Sequence, residues 1–156
     1  MLRTLVERHH CLFADRVSDW REAIRLSCRP LEQDGSVDPS YAQTIIDCVE
    51  HYGPYIVIMP NVCLAHSQEH AQGIHKTDMA LLRLQEPVVF DSAEGPKPVQ
   101  LIFSLSASNP EKHLQHLVSL GDLLSIAGMP EKLAEATCAQ DLLRLQEAYL
   151  DHFHQF

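Results

Sequence analysis

Apolar side chains recur at helical spacing in three long stretches of this chain. The first stretch predicts a helix over residues 18–33, and Gly35 follows it as a stop. The apolar stripe of this helix is formed by Trp20, Ala23, Ile24, Cys28 and Leu31. Because these side chains share one face, we expect the helix to pack against a core, with Trp20 as a core residue.

Two further helices are predicted from a cap residue followed by proline. Asp38 is expected as the N-cap of the second helix, with Pro39 at the first position and Gly53 at the C-terminal end. Asn109 and Pro110 open the third helix in the same way. The predicted buried positions are Ala42, Ile45, Ile46 and Val49 in the second helix, and Leu114, Leu117, Val118, Leu120 and Leu124 in the third. A short helix is predicted near residue 130, and a capping box over residues 137–140 predicts a final helix.

The predicted strands lie between these helices. Residues 55–59 are apolar on both faces, which is typical of a strand buried in a sheet, and Pro60 and Asn61 are expected to end it. Residues 77–84 and 99–106 predict two further strands, whereas the Gly-Pro and Lys-Pro steps of residues 91–98 predict a loop. This alternation predicts an α/β fold with a mixed sheet.

Composition narrows the class of protein. The chain has 156 residues without a linker-like segment, so we expect one domain over residues 1–156, and 46% hydrophobic residues suffice for a sizeable core. The formal charge of −9 argues against a nucleic-acid partner and favours a basic protein partner. Five scattered cysteines indicate a reducing compartment. With no signal peptide and no apolar run of membrane-spanning length, the sequence predicts a cytoplasmic protein without direct membrane insertion.

His66 is the strongest candidate for chemistry. It follows the apolar run and its Pro60-Asn61 break, and side chains just beyond buried strands of open α/β sheets commonly form sites. An imidazole there serves as acid or base, metal ligand or nucleophile, or it fills space. Spacing alone leaves these alternatives open.

The motifs around His66 carry a family resemblance. Gly53-Pro54-Tyr55, Pro60-Asn61-Val62-Cys63-Leu64-Ala65-His66 and Gly73-Ile74-His75-Lys76-Thr77 follow one another in this order. The arrangement resembles the phosphorylated-histidine region of enzyme IIA proteins of the bacterial phosphoenolpyruvate-dependent sugar phosphotransferase system. The branch is the mannitol/fructose superfamily, closest to the ascorbate-type or pentitol-like IIA components. The similarity extends to residues 19–23 upstream and to Ser106-Ala107 with His113 downstream.

This resemblance implies a fold and a role. The implied fold is a three-layer sandwich with a mixed sheet of about five strands flanked by helices. The implied role is a phosphocarrier: His66 accepts a phosphoryl group from the carrier protein HPr, His113 stabilises it, and a IIB component receives it for sugar uptake through the membrane component IIC. No cofactor or metal is implied. The phosphorylated ring nitrogen and the sugar (ascorbate, a pentitol or another polyol) stay open. An apolar rim of Val62, Leu64 and Ile74 is expected at the partner interface.

Other interpretations remain. Ala65 and Asn61 stand where the family usually has proline and glycine, so a degenerate IIA-like regulatory or binding domain that feeds no transporter is the main alternative. A zinc site could use His66, His70 and His75 of one loop region, or His113 and His116 one helical turn apart, with Glu69 or Cys63 nearby in sequence. Cys63 as a hydrolase nucleophile would have to be exposed and ionised. The histidines close to the termini are expected in solvent: His9, His10, His152 and His154.

Overall fold

The structure is a computed structural model that describes residues 1–67 and 72–151. The described residues form a five-stranded mixed sheet and six α-helices, which confirms the α/β prediction. The helices are α1 (Leu2–Glu7), α2 (Trp20–Gln33), α3 (Tyr41–Tyr52), α4 (Pro110–Leu124), α5 (Met129–Glu135) and α6 (Ala139–Leu145), followed by a π-helical turn at Gln146–Leu150. The strands are β1 (Cys11–Ala14), β2 (Val57–Met59), β3 (Asn61–Ala65), β4 (Asp78–Ser92) and β5 (Gly95–Ser106). No helix among the described residues is both long and apolar enough to span a membrane.

The order and direction of the strands determine which chain segments meet at each end of the strands, called here an edge of the sheet. The order is β1-β4-β5-β3-β2, in which β1 is parallel to β4 and β3 is parallel to β5, while β4 and β5 are antiparallel. The carboxyl ends of β3 and β5 therefore lie at the same edge as the amino ends of β4 and β1. His66, which directly follows β3, lies at this edge.

Helices cover both faces of the sheet, which gives the three layers that were expected. On one face, α2 and α3 enclose a buried cluster that includes Ile24, Leu31, Ile45 and Ile46. On the other face, α1, α4, α5 and α6 enclose a second cluster that includes Phe103 and Leu133. Removing this apolar area from water is the main stabilising contribution to the fold.

The longest predicted helices are confirmed with small differences at their ends. The Asp19 carboxylate accepts a hydrogen bond from the Glu22 backbone N–H and caps α2, whose predicted stripe is buried except for the half-buried Trp20. The predicted N-cap of α3 was wrong. The helix begins at Tyr41 after Ser40, and the Asp38 carboxylate contacts His75 Nε2 at 2.8 Å instead of capping the helix.

The single strand predicted over residues 55–59 was wrong in its extent. Val57–Met59 forms a short edge strand, the chain reverses at Pro60, and the buried strand is the following Asn61–Ala65. Asn61 adopts φ +71°, and its side chain bonds the backbone N–H and the side chain of Gln100 in β5. These bonds stabilise the left-handed backbone conformation of Asn61. From the sequence, Asn61 was expected only to end a strand.

The loop predicted over residues 91–98 was also wrong. Residues 91 and 92 end β4 and residues 95–98 begin β5, so the two strands form a long hairpin. Pro96 and Pro98 fit into β5 because pairing with β3 starts only at Val99, and proline is tolerated where no neighbouring strand needs its N–H.

Two elements near the amino terminus were not predicted. Helix α1 is short and has no side-chain cap, and β1 has only four half-buried residues, so neither shows clear periodicity. Between them, His10 is 1% exposed, which corrects the expectation that it lies in solvent. His9 is exposed as expected, while His152 and His154 lie outside the described residues.

Candidate functional site

The His66 ring is fixed by the strand that precedes it. Its Nδ1 atom lies 2.7 Å from the carbonyl oxygen of Leu64. A carbonyl oxygen only accepts hydrogen bonds, so Nδ1 carries the proton and Nε2 keeps its lone pair. Ala65, which replaces the proline of the family pattern, pairs with Ser104 of β5, so β3 continues to the residue before His66.

Tyr55 supports His66 from the side. The two rings are perpendicular, with centroids 5.2 Å apart, and the Tyr55 hydroxyl donates a hydrogen bond to the His66 backbone carbonyl. Burial lowers the pKa of His66, the Leu64 carbonyl opposes this effect, and repulsion from His113 adds to it. His66 is therefore neutral near pH 7, and its Nε2 is available as a nucleophile.

The residue after His66 is also held in place. Ser67 hydrogen-bonds to the Tyr41 hydroxyl through its side chain and its backbone. That hydroxyl donates in turn to Leu105 O at 2.6 Å, and Tyr41 is 1% exposed. A buried tyrosine of α3 thus ties the segment after β3 to the end of β5.

Helix α4 places His113 beside this edge of the sheet. The Asn109 side chain accepts hydrogen bonds from the backbone N–H groups of Glu111 and Lys112, so the predicted cap is confirmed. His113 lies in the first turn, and its charge acts on His66. The structure thus brings the two predicted site histidines close together, although they are far apart in the sequence.

The Gly73–Thr77 motif, residues 73–77, fixes the start of α4. The Thr77 hydroxyl oxygen accepts hydrogen bonds from the backbone N–H groups of Ser108 and Asn109, at 2.8 and 2.7 Å. Gly73 adopts φ +82°, and a Cβ there would lie 2.9 Å from an Asp38 carboxylate oxygen. The motif was identified from the sequence, but its structural role, which is to connect α4 to the loop before α3, was not.

A partly buried ion network lies at the same edge of the sheet. His10 Nε2 lies 2.6 Å from Asp34 Oδ2, and His10 Nδ1 lies 3.0 Å from Met79 O and 3.5 Å from Asp78 Oδ1. The Arg8 guanidinium bridges the carboxylates of Asp34 and Asp78. Sequence reasoning missed this network, because its members are separated by up to about seventy residues and only proximity in the fold reveals it.

Metal-binding groups occur in this network. Among the described residues, His10, Asp34 and Asp78 have ligand atoms within 4.8 Å of one another. Arg8 forms an ion pair with both carboxylates, so their negative charge is compensated by a side chain of the protein and does not require a metal ion. Of the zinc ligands considered from sequence, His70 and Glu69 lie outside the described residues.

Cys63 does not fit the role of a nucleophile. Its side chain is 0% exposed in β3, and burial raises the pKa of its thiol. A thiol that stays protonated and inaccessible neither attacks a substrate nor binds a metal readily.

The predicted apolar rim requires a correction. Val62 and Leu64 are 0% and 6% exposed and belong to the core, and Ile74 is half-buried. The exposed apolar side chains nearest in sequence to His113 are instead Leu114 and Val118, at 62% and 54%. These two had been expected in the core, but they face solvent on α4.

Comparison with known proteins gives the family of the chain. The family described as "Phosphoenolpyruvate-dependent sugar phosphotransferase system, EIIA 2" matches residues 4–148. The ascorbate-specific PTS system EIIA component of Mycoplasma pneumoniae is 33% identical over 112 residues, which cover 71% of this chain and 69% of that protein. Its counterpart in Salmonella typhimurium is 27% identical over 143 residues, covering 91% and 92%.

A solved structure gives the same result for the fold. A Streptococcus mutans protein assigned as the PTS component IIA(PtxA) superposes with a TM-score of 0.81 and 30% identity, covering 94% of this chain and 92% of that one. The chain therefore belongs to the EIIA type 2 family of the phosphoenolpyruvate-dependent sugar phosphotransferase system.

Proposed function

We propose that this protein is the cytoplasmic phosphocarrier IIA of a sugar phosphotransferase system, with residues 1–156 forming one IIA domain. His66 accepts the phosphoryl group of phosphorylated HPr and passes it to a IIB component, which serves a IIC transporter. The observation that carries the proposal is the 2.7 Å contact between His66 Nδ1 and Leu64 O, which leaves Nε2 as the nucleophile.

The chemistry follows from this tautomer. The Nε2 lone pair attacks phosphorus, the bond from phosphorus to the HPr histidine breaks, and its electron pair stays on the HPr ring. The Leu64 carbonyl holds the Nδ1 proton and stabilises the positive charge that the His66 ring gains during attack. Phosphoryl transfer requires positioning and charge stabilisation, and we assign the stabilisation to His113 and the start of α4.

Partner recognition is proposed on the surface around His113. Leu114 and Val118 are exposed apolar side chains, and the net charge of −9 attracts a basic partner at long range. A carrier releases each partner quickly, so a small interface is expected. The ascorbate-specific names of two relatives make ascorbate one candidate, while a pentitol or another polyol stays open.

Intact-mass measurement after incubation with phosphoenolpyruvate, enzyme I and HPr tests the proposal. We expect one acid-labile phosphate on the wild type and none on His66→Gln. His113→Ala should label more slowly, whereas His75→Gln, which changes an exposed histidine, should label normally. Absence of an adduct on the wild type with a cognate HPr would contradict the carrier role.

That negative result would instead favour the alternative, a degenerate IIA-like regulatory domain that feeds no transporter. The two departures that motivate this alternative are accommodated in the fold. Asn61 adopts the positive φ of a glycine, and Ala65 continues β3. Neither departure removes a group from His66, which is why the carrier is the preferred proposal.

A further inference from the structure

His116 lies on α4 one helical turn after His113 and faces the same end of the sheet. The Nδ1 atoms of both rings are shielded from solvent, and the described part of the chain offers neither of them a hydrogen-bond partner. Leaving a buried polar atom without a partner destabilises a fold, so such an atom in a native structure needs an explanation. His113 has a proposed role beside His66, whereas His116 has none.

The charges that face His116 come from three elements. On its own helix these are His113 and Lys112, on β4 it is Asp78, and after α1 it is Arg8. Burial is the largest effect and lowers the pKa of His116, Asp78 opposes it, and the three cationic groups add to the lowering. In the unphosphorylated protein His116 is therefore neutral near pH 7.

Solvent reaches the charged groups around His116. Arg8, Asp78 and Lys112 line a surface cleft of about 300 Å³, together with Thr77, Ser108 and Asn109 at the start of α4. A proton therefore has a path from solvent to this end of α4. His116 combines a neutral ring, a nearby carboxylate and a neighbouring histidine that faces the reacting residue.

We propose that His116 is a charge-balancing positioning residue that takes up one solvent proton when His66 is phosphorylated. This inference rests on the proposed carrier function. The phosphoryl group adds negative charge at His66, and a nearby negative charge favours protonation of an imidazole. Asp78 already favours the charged form of the His116 ring, so His116 is the group that takes up the proton.

The direct test is an NMR titration of the His116 ring in the unphosphorylated and the phosphorylated wild-type protein. A nearby anion raises an imidazole pKa, and we expect a rise of about one unit on phosphorylation. An unchanged His116 titration in a protein that does carry the phosphate would overturn the inference and leave the carrier function standing. Failure to phosphorylate the wild type would instead contradict the proposed function itself.

A second test uses the transfer equilibrium with HPr. Proton uptake favours phosphorylated IIA at low pH, by up to about tenfold for a shift of one unit. His116→Gln cannot take up the proton, so its equilibrium should depend less on pH than that of the wild type. His51→Gln serves as the matched control because His51 is an exposed histidine at the end of α3 and does not line this cleft, and it should keep the wild-type profile. Identical profiles for His116→Gln and the wild type would refute the role.

Discussion

Replacing His10 tests whether the partly buried ion network stabilises the fold through charge. The ring is 1% exposed, and its two nitrogens contact Asp34 and the Met79 carbonyl at 2.6 and 3.0 Å. His10→Gln retains a hydrogen-bond donor but cannot carry a positive charge. The carboxylates of Asp34 and Asp78 then keep their ion pairs with Arg8.

The magnitude follows from these contacts. Removing one partner of a buried ion pair costs about 3–5 kcal/mol. The Asp34 side chain is 27% exposed and Arg8 remains, so the expected loss lies below that range. We expect a loss of about 2–3 kcal/mol at pH 6, which corresponds to a fall in Tm of about 4–12 °C for a domain of this size.

The loss should depend on pH in a defined direction. Burial alone lowers the pKa of His10, but the hydrogen bonds and charges of Asp78 and Asp34 outweigh it and raise the pKa. A raised folded pKa gives stability that is complete below the unfolded pKa of about 6.5 and is lost as pH rises through the folded value. The difference between wild type and His10→Gln should therefore be smaller at pH 9 than at pH 6.

Urea unfolding at pH 6 and pH 9 measures both quantities. The matched control is His75→Gln, because His75 contacts Asp38 at 2.8 Å but both side chains are more than half exposed. An exposed pair contributes little, so this variant should lose less than about 0.5 kcal/mol. An equal loss for His10→Gln at both pH values would refute the reasoning, because His10 would then act as a neutral packed ring.

Three further changes test local backbone geometry. Thr77→Val removes the acceptor of two backbone N–H groups at the start of α4, so unfolding measurements should show a loss of about 1 kcal/mol and labelling of His66 should slow. Gly73→Ala should lose about 1–3 kcal/mol more than Gly35→Ala in thermal unfolding, because both residues have positive φ but only Gly73 faces a close contact. Asn61→Ala should lose about 2 kcal/mol in urea unfolding, through its φ of +71° and two lost side-chain bonds, and equal stability would show that these bonds contribute nothing.

The elements that were predicted correctly from the sequence are those determined by residues close together in the chain. Helices α2 and α4 combine a long apolar periodicity with a capping residue, so both were predicted with nearly correct starts. The reversal at Pro60 depends on Asn61 bonding to Gln100 in another strand, and no local pattern carries that contact. The proline-containing start of β5 is extended because it pairs with β4, which is again a long-range property.

In the candidate site, too, residues within local motifs were predicted and residues that act through long-range contacts were missed. His66 and His113 were predicted from motifs that include their own neighbours in the sequence. Tyr41 was interpreted only as part of a helix, although its hydroxyl connects Ser67 to Leu105 O. His10 was expected in solvent because it is close to the terminus, whereas its carboxylate partners lie at least about twenty residues further along the chain.

The members of the ion network that sequence reasoning missed share one location with His66, and the sheet order explains why. Because β1 is parallel to β4 and antiparallel to β5, His10 before β1 and Asp78 at the start of β4 reach the edge where β3 ends at His66. Asp78 acts on both His10 and His116, and His116 in turn is next to His113. We therefore expect a change in charge at His66 to act, through His113 and His116, on the ion network of His10, Asp34, Asp78 and Arg8. If so, phosphorylation should change the pH dependence of stability in the wild type more than in His10→Gln, and equal changes in both would show that the network is electrostatically separate from the site.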